Sequence, residues 1–406
     1  MKRSVKAFTV FLAIILSVMF CINGAAAYLA PDQLTMTYPG DTLITSSFPL
    51  SLSYDNDKLA PVSADTAGNI SDNTEKARLM LFGVFPVKEV DVKLQERKNV
   101  ILGGQHFGIR LYTNGLVVSE TSPVDTDQGL SHPSEQAGIQ SGDIILSVDG
   151  KQLKTNEQLL DTVKTSEGRS ISITAIRNGE KYSTSITPVK DKELQEYRTG
   201  LYVRDSCAGI GTMTYTDPQN KSFAGLGHGI CDAESGSIMP LLRGDIVNAD
   251  ITSVRKSLCG SPGTLNGCFS DNVPLGTLRL NSEHGVYGTM NSLPRNPVTI
   301  PVAYKQEVVS GYAQLYTTID GSSPCFYDVQ IESISYNNLN TEKNMIIRVT
   351  DPELLSKTGG IVQGMSGSPI IQNDMLVGAL THVFVNEPDC GYAVFAENMI
   401  SYSDEL

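Results

Sequence analysis

"TGGIVQGMSGSPIIQND", Thr358 to Asp374, is the stretch on which the reading of this chain turns. Its centre, Gly364-Met365-Ser366-Gly367-Ser368-Pro369, places two serines in a glycine-lined turn between stretches that read as buried strands. Gly, Ser and Pro suit a plain turn through their backbone preferences alone. The same residues suit a nucleophile, because flanking glycines allow tight backbone geometry and aim the amides of Gly364 and Ser366 at a developing oxyanion. The choice depends on finding a base elsewhere in the chain.

There are five histidines. His106 and His132 fall in a stretch with a different signature, treated below. His284, in "NSEHGVYG", reads as part of a turn and edge strand, and His382, in "LVGALTHVFV", as a satisfied core or interface residue on the strand after the serine turn. His228 differs: "KSFAGLGHGICD" delivers it from a strand into a glycine-flanked bend, where an imidazole is free to approach a distant hydroxyl. It precedes Ser366 by 138 residues, far enough for each to come from its own half of a β structure. This order and spacing resemble trypsin-like serine proteases, as do the hairpin "SGSPIIQ", Asn373-Asp374, "MLVGALTHVF" behind the serine and Pro369 after it. Ser366 fits the nucleophile position and Ser368 a supporting one. Met365 stands where enzymes that activate through a new N-terminus carry an aspartate, so activation by that salt bridge is not expected. Cys231 is a rival nucleophile, but it lies three residues from His228 and lacks a nucleophile-type turn.

Upstream, residues 105–190 carry a second pattern. "HFGIRLYTNGLVV" reads as two strands turning at Asn114-Gly115, "TNEQLLDTVKTS" has helical spacing, and "RSISITAIRNGEKYSTSITPV" is a hairpin turning at Asn178-Gly179. With "AGIQSGDIILSVDG", Ala137 to Gly150, this stretch resembles a PDZ domain of the kind found in exported bacterial proteases. The resemblance implies capture of a peptide by strand addition, with Phe107, Gly108 and Ile109 matching the carboxylate-binding loop.

At 406 residues, with 40% apolar and 18% charged residues, the chain suits two or three folded domains. A net charge of -13 and the lack of a basic patch argue against a nucleic-acid partner. Lys2, Arg3 and Lys6 precede an apolar run from Ala7 to Cys21 and the small residues Ala25 to Ala27, the plan of a signal peptide. The run to Ala30 is also long enough for an uncleaved anchor, so residues 1–27 are a signal peptide or a membrane anchor. Residues 28–104 read as a β-rich lead-in with polar stretches such as Ser53 to Lys76, and residues 191–406 as the peptidase domain. Six cysteines follow the leader, and Cys259 with Cys268 would close a short loop, but six permit fifteen pairings. No C-x-x-C pair is present, and neither a metal nor a cofactor is expected.

Together the leader, the lead-in, the PDZ stretch, "GLGHGICD" and the serine block resemble the stage IV sporulation protein B family, serine peptidases of spore-forming bacteria. The resemblance implies a signalling protease sent by the forespore into the space between two membranes. There it cleaves itself and then a membrane-bound regulator, releasing an intramembrane metalloprotease that processes a mother-cell sigma factor. It implies self-association through the PDZ domain, and protein substrates that include a membrane-bound regulatory complex. It also implies Asp351, in "VTDPELLSKTGG", as the third catalytic residue. Trypsin-like spacing points instead to Asp271, one of seven aspartates between His228 and Ser366. Asp351 is preferred because its match is local and continuous, although Asp before Pro-Glu-Leu-Leu is equally an ordinary helix N-cap. The expected fold is mainly β and multidomain, a PDZ domain followed by a trypsin-like β-barrel-type peptidase. The rival from another class is a catalytically inactive PDZ scaffold binding a membrane partner.

Overall fold

Asn178 and Gly179 both adopt positive φ, 51° and 81°, and join strands Ile171–Arg177 and Glu180–Ile186 in a tight hairpin. Asn373 and Asp374 do the same, at 52° and 59°, between Pro369–Gln372 and Met375–Val383. Both are two-residue turns of the kind that Asn favours, because its short side chain tolerates the left-handed region. These turns belong to a mainly β chain, seen in a computed structural model that describes residues 2–37, 50–53, 74–321, 323–337 and 342–404. The polar run after Ser53, up to Thr74, lies outside the described residues.

Strand alternation closes the C-terminal part into a barrel. Gly311–Thr317, Cys325–Ile334 and Met345–Val349 bury every second residue, as a sheet with one face to a core requires. With Cys390–Phe395, Met375–Val383 and Pro369–Gln372 they form a closed six-stranded ring, sealed where Gln314 pairs with Ile371. Leu315, Val329, Ile347, Leu380 and Phe395 fill it.

A second ring of six precedes it. His106–Thr121 pairs with Leu241–Arg255, which leads through Gly263–Ser282, Gly285–Met290 and Ser222–Gly225 to Leu201–Thr216 and back to His106–Thr121. Phe107, Ile109, Leu111, Met213, Phe223 and Ile246 pack inside. The PDZ domain expected at 105–190 and the peptidase domain expected at 191–406 share this strand. The first half of His106–Thr121 is a stave of the first peptidase barrel, and the PDZ body is inserted between this strand and Leu201–Thr216.

The expected turn at Asn114-Gly115 is corrected. The strand runs through, with residues 113–116 bulging between the pairs Tyr112 with Ser206 and Val117 with Arg204. Gly115 is needed there: its φ is 96° and a Cβ would come within 2.8 Å of the Ile145 carbonyl oxygen. Beyond the bulge, Leu116 and Val117 pair with Ile144–Val148, and helix Asn156–Thr165 covers the PDZ core with Leu159 and Val163. Phe107, Gly108 and Ile109 are not an open peptide-binding loop. They are paired on one side with Gly211, Ile210 and Gly209 and on the other with Asn248, Val247 and Ile246, and Phe107 and Ile109 are buried. The PDZ strand edge is filled as well. Leu201 to Arg204 pair with Thr121 to Val117, Leu201 and Val203 pack on the PDZ core, and the Asp205 carboxylate accepts the amide of Asn156, at 2.9 Å, where the helix begins.

At the N-terminus, helix Lys2–Leu29 contains a span, Val10–Leu29, long and apolar enough to cross a membrane. It fits a signal peptide or a membrane anchor. Its end packs through Ala26 and Ala30 near a four-stranded sheet of the lead-in, which includes Gln33–Met36 and Phe85–Leu94. Cys259 and Cys268 stand as separate thiols, like the other five cysteines.

Candidate active site

His228 comes from the first barrel, at the bend after strand Ser222–Gly225, and Ser366 from the second, at the turn before Pro369–Gln372. The two turns touch. Gly367 has φ 94°, and a Cβ on it would lie 2.1 Å from the Thr212 carbonyl oxygen and 2.4 Å from the Leu226 amide nitrogen. Only glycine fits there, since no L side chain tolerates both the conformation and the contact. Gly367→Ala is expected to push the two turns apart, costing about 2 kcal/mol or more. A thermal scan would register this as a fall of several degrees in Tm.

The serine turn is braced from both barrels. Thr212, on the first-barrel strand, donates its amide to Ser366 O at 3.1 Å and its hydroxyl to Gly364 O at 2.8 Å. Ser368, fully buried, donates to Met365 O at 2.6 Å and lies 2.8 Å from Thr317 Oγ1. Met365 is buried in the core of the second barrel, with no charge to pair. Within the turn, the Met365 amide is bonded to Val362 O and the Gly367 amide to Leu380 O. The amides of Gly364 and Ser366 take no part in these turn bonds.

His228 and Ser366 line one cleft of about 470 Å³ between the barrels. His228 Nδ1 lies 2.9 Å from Gly229 O. A carbonyl oxygen only accepts, so Nδ1 carries the proton and Nε2 keeps its lone pair. Ser366 Oγ donates to Thr381 O at 2.7 Å. Burial lowers the pKa of His228 from 6.5, because the charged ring loses its hydration. The neutral imidazole, the form able to accept a proton, is thereby favoured.

His382 is not the satisfied core residue that the sequence suggests. It faces the same cleft, its ring centroid is 4.8 Å from that of His228, and its buried Nδ1 has no hydrogen-bond partner among the described residues. Burial, followed by the charges of His228 and Lys343, lowers its pKa to about 4. Cys231 also lines the cleft, but burial, with Glu342 next, raises its thiol pKa, the opposite of an activated nucleophile.

Asp351 makes no hydrogen bond to His228 among the described residues. It is the N-cap of helix Pro352–Thr358, accepting from the amides of Leu354 at 2.9 Å and Asp328 at 3.3 Å. In this geometry the carboxylate caps the helix, as Asp before Pro-Glu readily does. The side chain of Asp271 lies outside the described residues. What holds the imidazole here is the Gly229 carbonyl. Sequence reading missed that group, along with Thr212 and Thr381, because backbone carbonyls and strand threonines leave no pattern of their own.

Residues 195–400 match the family model described as SpoIVB peptidase S55, and residues 108–187 match that of the PDZ domain. Zinc metalloprotease RasP of Shouchella clausii is 34% identical over 81 residues, 20% of this chain and 18% of that protein. Serine protease HTRA1 of Xenopus tropicalis is 34% identical over 76 residues, 19% of this chain and 15% of that protein. The chain thus spans less than a fifth of the length of either relative. A solved PDZ domain of an SdrC-like protein from Listeria monocytogenes is 18% identical, covering 23% of this chain and 90% of its own, with a TM-score of 0.19. Because the peptidase match takes in half of the chain and contains both His228 and Ser366, the chain belongs to the SpoIVB peptidase S55 family.

Proposed function

We propose that the protein is a serine endopeptidase in which Ser366 is the nucleophile and His228 the general base. The observation that carries this reading is the meeting of the two turns, one from each barrel, on a single cleft. A substrate carbonyl entering there draws the Ser366 hydroxyl off Thr381 O. His228 Nε2 takes the proton as Oγ attacks, with the Nδ1 proton held on Gly229 O. The oxyanion is received by the amides of Gly364 and Ser366, which lie outside the turn's own bonds. His228 then returns the proton to the leaving amine, and water attacks the acyl-enzyme by the same route in reverse.

The match of residues 195–400 to the SpoIVB peptidase S55 family, with a PDZ domain at 108–187, supports the finer reading. The protein is exported across the forespore membrane, cleaves itself, and then cleaves a membrane-bound regulator to release an intramembrane metalloprotease. The apolar span Val10–Leu29 is consistent with export or anchoring. The PDZ body supports self-association and protein partners. Because Leu201 to Arg204 already fill its strand edge, a partner that binds by strand addition must displace that segment.

One observation favours a second reading, an inactive scaffold: the Ser366 hydroxyl is bonded to a carbonyl and not to His228. A fluorophosphonate separates the two. The peptidase forms an adduct that mass spectrometry places on Ser366, and Ser366→Ala forms none while retaining its fold. Absence of an adduct on the folded protein establishes the scaffold, and an adduct on Ser368 displaces the nucleophile assignment.

A further inference from the structure

Ile361 and Val362 immediately precede the serine turn, and Val383 and Val385 follow His382. These four, with Pro262, form one wall of the cleft that holds Ser366. The wall is built from three segments tied to one another. Ile361 N donates to Pro388 O at 2.6 Å, Gly260 N to Val385 O at 2.8 Å, and Ser257 Oγ to Ile361 O at 2.7 Å. Ile361 and Val362 are buried, whereas Val385 is 51% exposed at the mouth. Among the described residues, no aspartate, glutamate, lysine or arginine lines the cleft. Its two histidines are favoured in the neutral form, burial being the leading cause in both. The polar Gln363 is engaged through Oε1 by the Thr264 hydroxyl, at 3.1 Å.

We propose that this wall is the specificity pocket for the residue on the acyl side of the scissile bond, and that it selects an uncharged aliphatic side chain. The inference rests on the serine-peptidase reading and adds the substrate class. The carbonyl under attack must sit at Ser366, and the side chain two bonds away enters the same cleft, where Ile361, Val362 and Val383 are among the lining residues. An aliphatic side chain gains there by leaving water. A lysine or glutamate side chain loses its hydration there, and the charges that reach the cleft, Glu342 at His228 and Cys231 and Lys343 at His382, are not among its described lining residues, so it is rejected by roughly 100-fold or more.

Two peptidyl diphenyl phosphonates, alike except for a valyl or a lysyl side chain at the phosphonate carbon, test this on the full-length protein. A fluorophosphonate serves as the control that is blind to side chain. The valyl probe is expected to label Ser366 about 100-fold faster than the lysyl probe. In Val385→Asp the ratio is expected to fall about tenfold, because the new carboxylate at the mouth pairs with the lysyl ammonium. The ratio is read within each protein, so any general loss of reactivity in the variant cancels. A lysyl probe that labels as fast as the valyl one, with fluorophosphonate labelling intact, overturns the pocket and leaves the peptidase standing. So does a ratio unchanged in Val385→Asp. Failure of the fluorophosphonate itself on folded protein overturns the peptidase reading, and the pocket with it.

Discussion

Excising residues 105–190 is expected to unfold the peptidase rather than release it as an independent enzyme. The first half of strand His106–Thr121 lies inside the first barrel, paired along one edge with Ser206 to Thr212 and along the other with Leu241 to Asn248. Its removal opens a closed ring into two bare edges and takes Phe107, Ile109 and Leu111 out of the barrel core. Large-to-small losses of that kind cost about 2–5 kcal/mol each, and three together approach the whole stability of an ordinary domain, roughly 5–15 kcal/mol. The excised protein should show no cooperative thermal transition, and no fluorophosphonate adduct on Ser366. A second excision keeps the stave. Tyr112 and Ser206 are directly paired, so replacing residues 114–204 with a short Asn-Gly turn converts the two strands into a hairpin and removes only the PDZ body. This variant is expected to fold and to react with the fluorophosphonate. If the 105–190 excision melts cooperatively and labels at the normal rate, the barrel does not depend on that strand and the inserted architecture is wrong.

That architecture was not legible in the sequence, and the reason is physical. Asn178-Gly179 and Asn373-Asp374 announce their hairpins because the turn conformation itself selects those residues. Asn114-Gly115 carries the same signature, yet the chain does not turn there. The glycine is needed instead for a bulge that brings the backbone against the Ile145 carbonyl. Local chemistry asks for positive φ in both cases and does not say which. Strand pairing is still less visible: Phe107 meets Gly211 and Asn248 across more than a hundred residues, and alternation fixes which face is buried without naming the neighbour. The resemblance of Phe107-Gly108-Ile109 to a carboxylate-binding loop was a local likeness that distant pairing overrode. At the site, the serine turn and His228 were readable because glycine is demanded on either side of each. Asp351 was ambiguous because one sequence, Asp-Pro-Glu-Leu, serves both a helix cap and a family motif.

His228→Ala is expected to lower kcat/KM by about three orders of magnitude or more, and Asp351→Asn to change it by less than tenfold. The imidazole is the group placed to accept the Ser366 proton, and its Nδ1 is held by Gly229 O and not by a carboxylate. Asn caps a helix about as well as Asp, so Asp351→Asn keeps the bond to the Leu354 amide, whereas Asp351→Ala loses it at a cost of about 1 kcal/mol. The effect of Asp351 should therefore appear in Tm and in the alanine variant alone. The pH profile follows from burial. Desolvation lowers the folded pKa of His228 below 6.5, so the neutral base persists to lower pH than it would in an exposed ring. The acid limb of kcat/KM should accordingly lie below pH 6.5, with a plateau above it. His382, with its pKa lowered to about 4, is neutral across that plateau and supports His228 by contact. Its replacement by alanine should cost about tenfold and leave the position of the limb to His228. A loss of about four orders of magnitude in folded Asp351→Asn would mean that helix Pro352–Thr358 shifts to bring the carboxylate to the imidazole when substrate binds. A fully active His228→Ala beside an inert His382→Ala would transfer the base to the second barrel.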